Sequence, residues 1–164
     1  MMARWIRLGT LEPFDFAAGC AGLAAVQASG AAPALLWAQA DERYLFALVA
    51  PRKHAPGRSS RWLSWALAPA IATYRQLGLP AYLQGDAIWL HGRRIAESSS
   101  QSIGECAVVA SSFLRQRPLH DEAISSRDLQ EAFRLRLEAQ HGWQFDTSWP
   151  TDAEKRPAQV PSFS

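Results

Sequence analysis

Short apolar runs separated by turn-forming residues predict three β-strands in the first third of the chain. They cover residues 3–8, 34–37 and 44–49. A strand that is covered on both faces reads as an uninterrupted apolar run, whereas a half-exposed strand alternates apolar and polar residues. Residues 44–49 form such an uninterrupted run. We therefore expect this strand at the centre of a sheet.

The apolar runs of the second half lie closer together and predict an antiparallel meander. Its strands are expected over residues 81–83, 88–90, 93–102 and 105–114, with 106–110 as the buried part of the last strand. Gly85-Asp86 and His91-Gly92 separate consecutive runs. A two-residue link that contains Gly is typical of a tight hairpin turn. Each strand is therefore expected to pair with the next.

Two helices are indicated by capping residues and apolar spacing. The first is predicted over residues 16–27, after Asp15, in a stretch rich in Ala and Gly. The second begins at a capping box formed by Ser125 and Asp128 and ends at Gly142. Its apolar face is expected to contain Leu129, Ala132, Phe133 and Leu137.

A further helix is predicted after the evident loop at residues 51–60. Ser59 and Ser60 are its expected capping residues, and Gly78 is its expected end. Pro69 lies inside it, and proline removes a backbone donor and collides with the preceding turn. We expect Pro69 to kink the helix or to divide it in two.

The order of these elements predicts an α+β fold with a mixed, largely antiparallel sheet and helices packed on it. A chain of 164 residues is long enough for one domain. We assign residues 1–149 to that domain. Residues 150–164 form a polar tail with three prolines, which we expect to be disordered or to dock late.

Charge and composition restrict the function classes. The net charge of +2 is small and the basic residues are scattered, which disfavours a nucleic-acid-binding protein. No long uncharged apolar run predicts a membrane span or a signal peptide. Cys20 and Cys106 lie in apolar surroundings and are expected to be buried thiols in a reducing compartment. These features predict a soluble cytoplasmic protein.

The search for catalytic motifs is negative. No glycine-rich phosphate loop occurs, and the four histidines lack metal-ligand spacing, so no metal or cofactor is predicted. Asp86 is most simply a turn residue, with a functional role as the alternative. The hydroxyls of residues 98–100 belong to a strand face or loop, with ligand contact as the alternative. Cys106 has no basic neighbour in sequence, which favours a structural thiol over a nucleophile.

The ordered series of motifs from Tyr44 to Arg117 nevertheless resembles one enzyme family. Residues 85–97 read Gly-Asp, an apolar strand, and then Gly-Arg-Arg-Ile-Ala-Glu. This stretch resembles the lysine strand of the biotin and lipoate protein ligases, and residues 44–51 and 104–114 are similar to the neighbouring strands of a lipoate protein ligase or octanoyltransferase. The resemblance implies a fold related to the class II aminoacyl-tRNA synthetases.

The chain departs from that family where its chemistry resides. Arg94 stands at the position of the family lysine, Glu97 at that of a glycine, and Gly85 at that of an asparagine. The His-Gly of the return strand is Ser111-Ser112. Only residues 38–43 separate the strand ending at Trp37 from the next strand, where the family has a long segment that closes over the bound acyl group.

The resemblance and the departures together lead to one leading hypothesis. The chain is expected to keep the ligase fold without ligase catalysis, and to bind a small carboxylate, a lipoyl-type carrier domain or a companion protein. The predicted cleft residues are Asp86, Arg93, Arg94, Ser98, Ser99 and Ser100.

Two alternatives remain open. One is a minimal lipoyl or octanoyl transferase, or a lipoate protein ligase, that uses Arg94 in the lysine's role; only this alternative calls for lipoate, octanoate or ATP. The other is an accessory subunit or homo-oligomer that associates through exposed tryptophans.

Overall fold

The computed structural model describes residues 2–10, 32–40, 42–116 and 123–148. The helix predicted over residues 16–27, the tail at 150–164 and Cys20 lie outside these ranges. No helix within the described part of the chain is long and apolar enough to cross a membrane.

The described residues form nine strands and two α-helices. The strands are β1 (Met2–Thr10), β2 (Ala34–Gln39), β3 (Arg43–Pro51), β4 (Tyr82–Gln84), β5 (Ala87–Leu90), β6 (Arg93–Glu97), β7 (Ser99–Ile103), β8 (Cys106–Leu114) and β9 (Gln144–Ser148). The helices are α1 (Trp62–Gln76) and α2 (Ser126–His141).

Six of the strands form a mixed sheet in the order β7-β8-β3-β2-β1-β9. The pairs of β1 with β2 and with β9 are parallel, and the other pairs are antiparallel. β3 lies in the interior of this large sheet, which confirms the central strand predicted over residues 44–49. Phe46 and Leu48 of β3 belong to one buried cluster, whereas Ala47 and Val49 belong to the cluster on the opposite face.

The other three strands form a small antiparallel sheet in the order β4-β5-β6. Both predicted tight turns are confirmed, since Gly85-Asp86 joins β4 to β5 and His91-Gly92 joins β5 to β6. His91 and Gly92 have φ angles of 51° and 77°, so both occupy the left-handed region that a two-residue hairpin turn with this twist requires.

The prediction of one continuous strand over residues 93–102 is wrong. The segment forms β6 and β7, which belong to different sheets and are separated at Ser98. The amide of Ser98 donates a hydrogen bond of 2.8 Å to the carbonyl oxygen of Asp86 in the β4–β5 turn. This bond extends the β5–β6 register by one position beyond the pair of Ala87 and Glu97, and the chain then continues into the large sheet as β7.

Helix α1 differs from its prediction at its start, and it is not divided in two at Pro69. Ser59 and Ser60 belong to a short 3-10 turn, and the N-cap of α1 is Arg61 without a side-chain cap, so the predicted serine caps are wrong. The helix continues through Pro69 as one element. The amide of Gly78, which has a φ of 83°, donates to the carbonyl of Arg75 just after the helix, which confirms the predicted end.

Helix α2 begins and ends as predicted. The amide of Asp128 donates to the Ser125 hydroxyl at 3.4 Å, and Gly142 adopts a left-handed conformation at the C-terminal end. The predicted apolar face is buried, namely Leu129, Ala132, Phe133 and Leu137. The Phe133 ring lies 4.8 Å from the Phe46 ring and 5.0 Å from the Phe113 ring, so α2 packs on the centre of the large sheet.

Candidate functional site

Arg94 lies on the small sheet, opposite Trp89 of β5. The pairing register shifts here, because Ile88 pairs with Ala96 whereas Trp89 pairs with Arg94, and Ile95 is the extra residue. Such a bulge redirects the side chains of a strand. Ile95 is consequently buried while Arg94 remains exposed, with its guanidinium carbon 5.6 Å from the centroid of the Trp89 ring.

The same guanidinium is paired with a carboxylate. Arg94 Nη1 lies 3.4 Å from Glu97 Oε1, and the two side chains are 52% and 83% exposed. Exposed pairs of this kind contribute only about 0–1 kcal/mol to stability. An anion that approaches Arg94 also meets the negative charge of Glu97.

A second arginine joins the two sheets beside Arg94. Arg43 stands at the start of β3, and its Nη1 donates to the carbonyl oxygen of Ile95 on β6 and to the Ser112 hydroxyl on β8, the latter at 3.3 Å. β6 and β8 are therefore connected by a guanidinium. Sequence reasoning missed Arg43, and the only signal for it is a basic residue at the first position of a buried strand.

The serine hydroxyls between β6 and β8 also form hydrogen bonds. The Ser98 hydroxyl donates to Ser111 Oγ at 2.8 Å, and Ser111 donates to the carbonyl oxygen of Glu97 at 3.1 Å. From the core, the Tyr74 hydroxyl donates to the carbonyl oxygen of Ser112 at 3.1 Å. Burial raises the pKa of the Tyr74 phenol above its ordinary value, which keeps it protonated as a donor. Ser111 and Ser112 thus serve as structural partners between the sheets.

The structure distributes the predicted cleft residues over two places. Asp86 and Ser98 are neighbours through their backbone hydrogen bond, and Arg93 is exposed at the start of β6, next to Arg94. Ser99 and Ser100 belong to β7 of the large sheet. Ser100 lines a cavity with residues of the loop after β3, rather than with Arg94.

Three cavities are lined by described residues, and Arg94 lines none of these three. One of about 640 Å³ lies between α1 and α2, beside Leu83. A second of about 610 Å³ lies between Arg52, the turn at Ser59 and Ser60, and β7. A third of about 170 Å³ lies beside Trp5 and three arginines of β1 and α2.

Among the described residues, the buried groups offer no nucleophile or metal centre. Cys106 is fully buried, and burial together with the Glu105 charge raises the pKa of its thiol, although Arg52 acts in the opposite direction. The described residues include no group of three or more metal-ligating side chains. A buried thiol with a raised pKa is a poor nucleophile, in agreement with the structural role predicted for Cys106.

The tryptophans do not form an exposed surface in the described part of the chain. Four of them are buried, namely Trp5, Trp37, Trp62 and Trp143. Trp65 and Trp89 are half-buried, and Trp149 lies outside the described residues. The hypothesis of an interface built from exposed tryptophans therefore receives no support from these six residues.

No protein-family model matches the chain, and no curated protein matches it in sequence. Solved structures do match it in fold. A bipartite lipoate protein ligase of an archaeal lipoylation system, from Thermoplasma acidophilum, superposes with a TM-score of 0.79 and 11% identity, over 97% of this chain and 91% of the other.

Two further structures extend the comparison. Lipoate-protein ligase A bound with ATP has a TM-score of 0.77 and 11% identity, over 97% of this chain and 93% of the other. The biotin acetyl coenzyme A carboxylase synthetase of Helicobacter pylori has a TM-score of 0.59 and 13% identity, over 85% of this chain and 74% of the other. The chain therefore has the fold of the lipoate and biotin protein ligases, which confirms the predicted α+β class and, at the level of fold, the resemblance found in the sequence.

Proposed function

We propose that this chain is a non-catalytic domain with the ligase fold, and that it binds a lipoyl-type carrier domain. The observation that carries the proposal is the state of the Arg94 guanidinium, which is paired with Glu97 and lies over the Trp89 ring. This group stands where the resemblance places the lysine of the active enzymes. Its charge is already compensated by a carboxylate of the same strand.

The absence of catalysis follows from what the ligation chemistry requires. Activation of a carboxylic acid by ATP needs positive charge at the phosphates and a site from which water is excluded. Arg94 is half exposed and faces a carboxylate. Arg43 and the Ser98–Ser111 hydrogen bond connect the strands beside it. The closing segment that the resemblance calls for is reduced to residues 38–43.

Two observations favour the carrier as the partner. One is the set of residues on the outer face of the small sheet, and the other is the fold similarity to lipoate protein ligases. Tyr82, Trp89 and Arg94 form one cross-strand row, because Tyr82 pairs with Trp89 and Trp89 with Arg94. Tyr82 is among the few exposed large apolar residues. Tyr, Trp and Arg are the residue types that most often dominate protein–protein interfaces. The T. acidophilum ligase was described together with its E2 lipoyl domain.

The first test combines an acylation assay with a binding assay. The full chain is incubated with a purified lipoyl-type carrier domain, ATP and lipoate or octanoate, and the carrier is weighed by mass spectrometry. We expect no acylation. Calorimetry with the same carrier should detect binding, and Arg94→Ala should weaken it by about tenfold or more. Arg127→Ala, an exposed arginine at the start of α2, is the matched control and should leave the affinity unchanged.

The outcomes separate the alternatives. An acylated carrier that is lost in Arg94→Ala would replace this proposal with a minimal transferase or ligase. Failure of the carrier to bind would leave a small carboxylate or another protein as the partner. Titration with lipoate, octanoate, biotin and ATP tests the carboxylate version, and a lack of binding to all four would leave only a companion protein.

A further inference from the structure

The 610 Å³ cavity, which we call the serine cavity, has a wall of hydroxyl groups on each of two elements. Ser59 and Ser60 contribute from the 3-10 turn before α1, and Ser100 and Ser102 contribute from β7. Arg52, just after β3, lies between these two walls. Three of the hydroxyls, those of Ser59, Ser60 and Ser100, form no hydrogen bond with the residues that the structure describes.

The loop beside the cavity concentrates positive charge in a chain that is nearly neutral overall. Arg52, Lys53, Arg58 and Arg61 lie within ten residues, whereas the whole chain has a net charge of +2. No Asp or Glu occurs in the sequence between Glu42 and Asp86. This local excess of basic residues favours an anionic ligand, and Arg52 is the one of these four that lines the cavity. The basic residues are therefore more clustered in this loop than the sequence analysis predicted.

Hydrogen bonds connect the elements that line the cavity. The amide of Arg52 donates to the carbonyl oxygen of Glu105 at 2.9 Å, and the Arg52 guanidinium donates to the Ser102 hydroxyl. Trp62 is buried, and its indole Nε1 donates to the carbonyl oxygen of Pro56 at 2.8 Å, which fixes the loop against α1. Glu105, whose backbone carbonyl accepts the bond from Arg52, also carries a carboxylate. The walls need little ordering when a ligand binds, and a preformed site loses less free energy on binding.

We propose that the serine cavity binds the phosphate group of a small phosphorylated molecule. A guanidinium with several hydroxyl donors on two sides suits a tetrahedral group with three strongly accepting oxygens better than a flat carboxylate. The volume of about 610 Å³ falls within the range of about 300–1,000 Å³ that is typical of small-molecule sites. It exceeds what a single oxyanion fills, which leaves room for an organic group attached to the phosphate.

This site is separate from the carrier surface. Arg94 and the row with Tyr82 and Trp89 belong to the small sheet, whereas the serine cavity is formed by the β3–α1 loop and β7. The two proposals therefore fail independently. Substitutions at Arg52 and Arg94 distinguish them.

Calorimetry of the full chain with inorganic phosphate, glycerol 3-phosphate and AMP tests the proposal, with adenosine as the uncharged control. The esters should bind more tightly than inorganic phosphate, and adenosine should not bind. Arg52→Gln should weaken ester binding by about tenfold or more, because it removes the charged donor. The double variant Ser59→Ala/Ser60→Ala should also weaken it, and Arg94→Ala and Arg127→Ala should leave it unchanged. Added KCl should lower the affinity.

Three results would overturn the proposal. The first is that none of the three phosphates binds, and the second is that ester binding is unaffected by the serine double variant. The third is ester binding that is lost in Arg94→Ala and kept in Arg52→Gln, which would assign the anion to the small sheet. Equal affinity for inorganic phosphate and for both esters would overturn the assignment of the organic group. Ser59 and Ser60 are exposed, so the double variant remains informative if Arg52→Gln fails to fold.

Discussion

The guanidinium of Arg43 on β3 donates a hydrogen bond to the backbone carbonyl of Ile95 on β6, and so connects the large sheet to the small one. The same nitrogen donates to Ser112 on β8. Among the described residues, β6 pairs with β5 and has no backbone ladder with the large sheet. The Arg43 side chain is therefore one of the links, together with the hydrogen bond from Ser111 to the Glu97 carbonyl, that hold the strand of Arg94 against the large sheet.

Replacement of Arg43 should loosen this connection. Arg43→Met keeps much of the aliphatic stem but leaves the Ile95 carbonyl and the Ser112 hydroxyl without this donor. We expect the free energy of unfolding to fall by about 1.5–3 kcal/mol, the range for hydrogen bonds from a charged group. Urea unfolding followed by tryptophan fluorescence measures it.

Arg43→Lys and Arg127→Ala are the controls for that measurement. Lysine keeps the charge without the planar fork, so it should recover only part of the loss. Arg127→Ala should change the free energy of unfolding by less than about 0.5 kcal/mol, as is usual for exposed positions. A loss in Arg43→Met no larger than that of Arg127→Ala would show that the connection is not stabilising.

Reversal of the two most evident departures from the ligase pattern should not create a ligase. In Arg94→Lys/Glu97→Gly, the family residues return at both positions, but Arg43, Ser111 and Ser112 still join the strands. We expect no acylation of a carrier domain by lipoate and ATP in a mass assay. Acylation by the double variant would mean that these two positions alone had removed the activity.

Local sequence signals were sufficient for three elements, although they failed for the predicted serine caps of α1. The uninterrupted run at residues 44–49 identified the central strand, the Gly85-Asp86 pair identified a hairpin, and Ser125 with Asp128 identified the start of α2. Each of these depends on backbone preferences or burial over a few residues.

Sequence reasoning failed where the outcome depends on distant partners. At Ser98 the segment changes from pairing with β5 to pairing with β8, and nothing in residues 93–102 encodes these distant partners locally. The role of Arg43 likewise depends on the register of β3 against β8, which places it beside Leu114 and near Ser112. The separation of Ser100 from Arg94 follows from the same change of sheet.

The thiol of Cys106 should resist modification in the folded protein. It is buried in the large sheet, and its raised pKa keeps it protonated at neutral pH. Iodoacetamide should therefore label Cys106 slowly in buffer and rapidly in urea, as measured by peptide mass mapping of that cysteine. Fast labelling in buffer at neutral pH would mean that the thiolate is accessible, and would reopen its role as a nucleophile.

His141 should make the stability of the fold sensitive to mild acid. It lies at the end of α2 between Trp65 and Trp143, with a ring separation of 4.8 Å to each. Its Nε2 is buried and has no hydrogen-bond partner in the described residues. Burial lowers the pKa of His141 from 6.5 to about 4. In the pH range between these values the unfolded chain binds a proton that the folded chain does not, so the folded state loses stability as the pH falls.

The comparison of wild type with His141→Gln isolates this effect from the carboxylates that titrate in the same range. The closest charged group on the helix, Glu138, already accepts hydrogen bonds from Arg134 and from the amide of Phe145. Urea unfolding at pH 7, 6, 5 and 4 should show a steeper loss in wild type than in the variant, with the difference growing below about pH 6.5 and levelling off near pH 4. Parallel curves for the two proteins would mean that His141 is protonated in the folded state as readily as in the unfolded chain, and that the two indole rings do not keep it neutral.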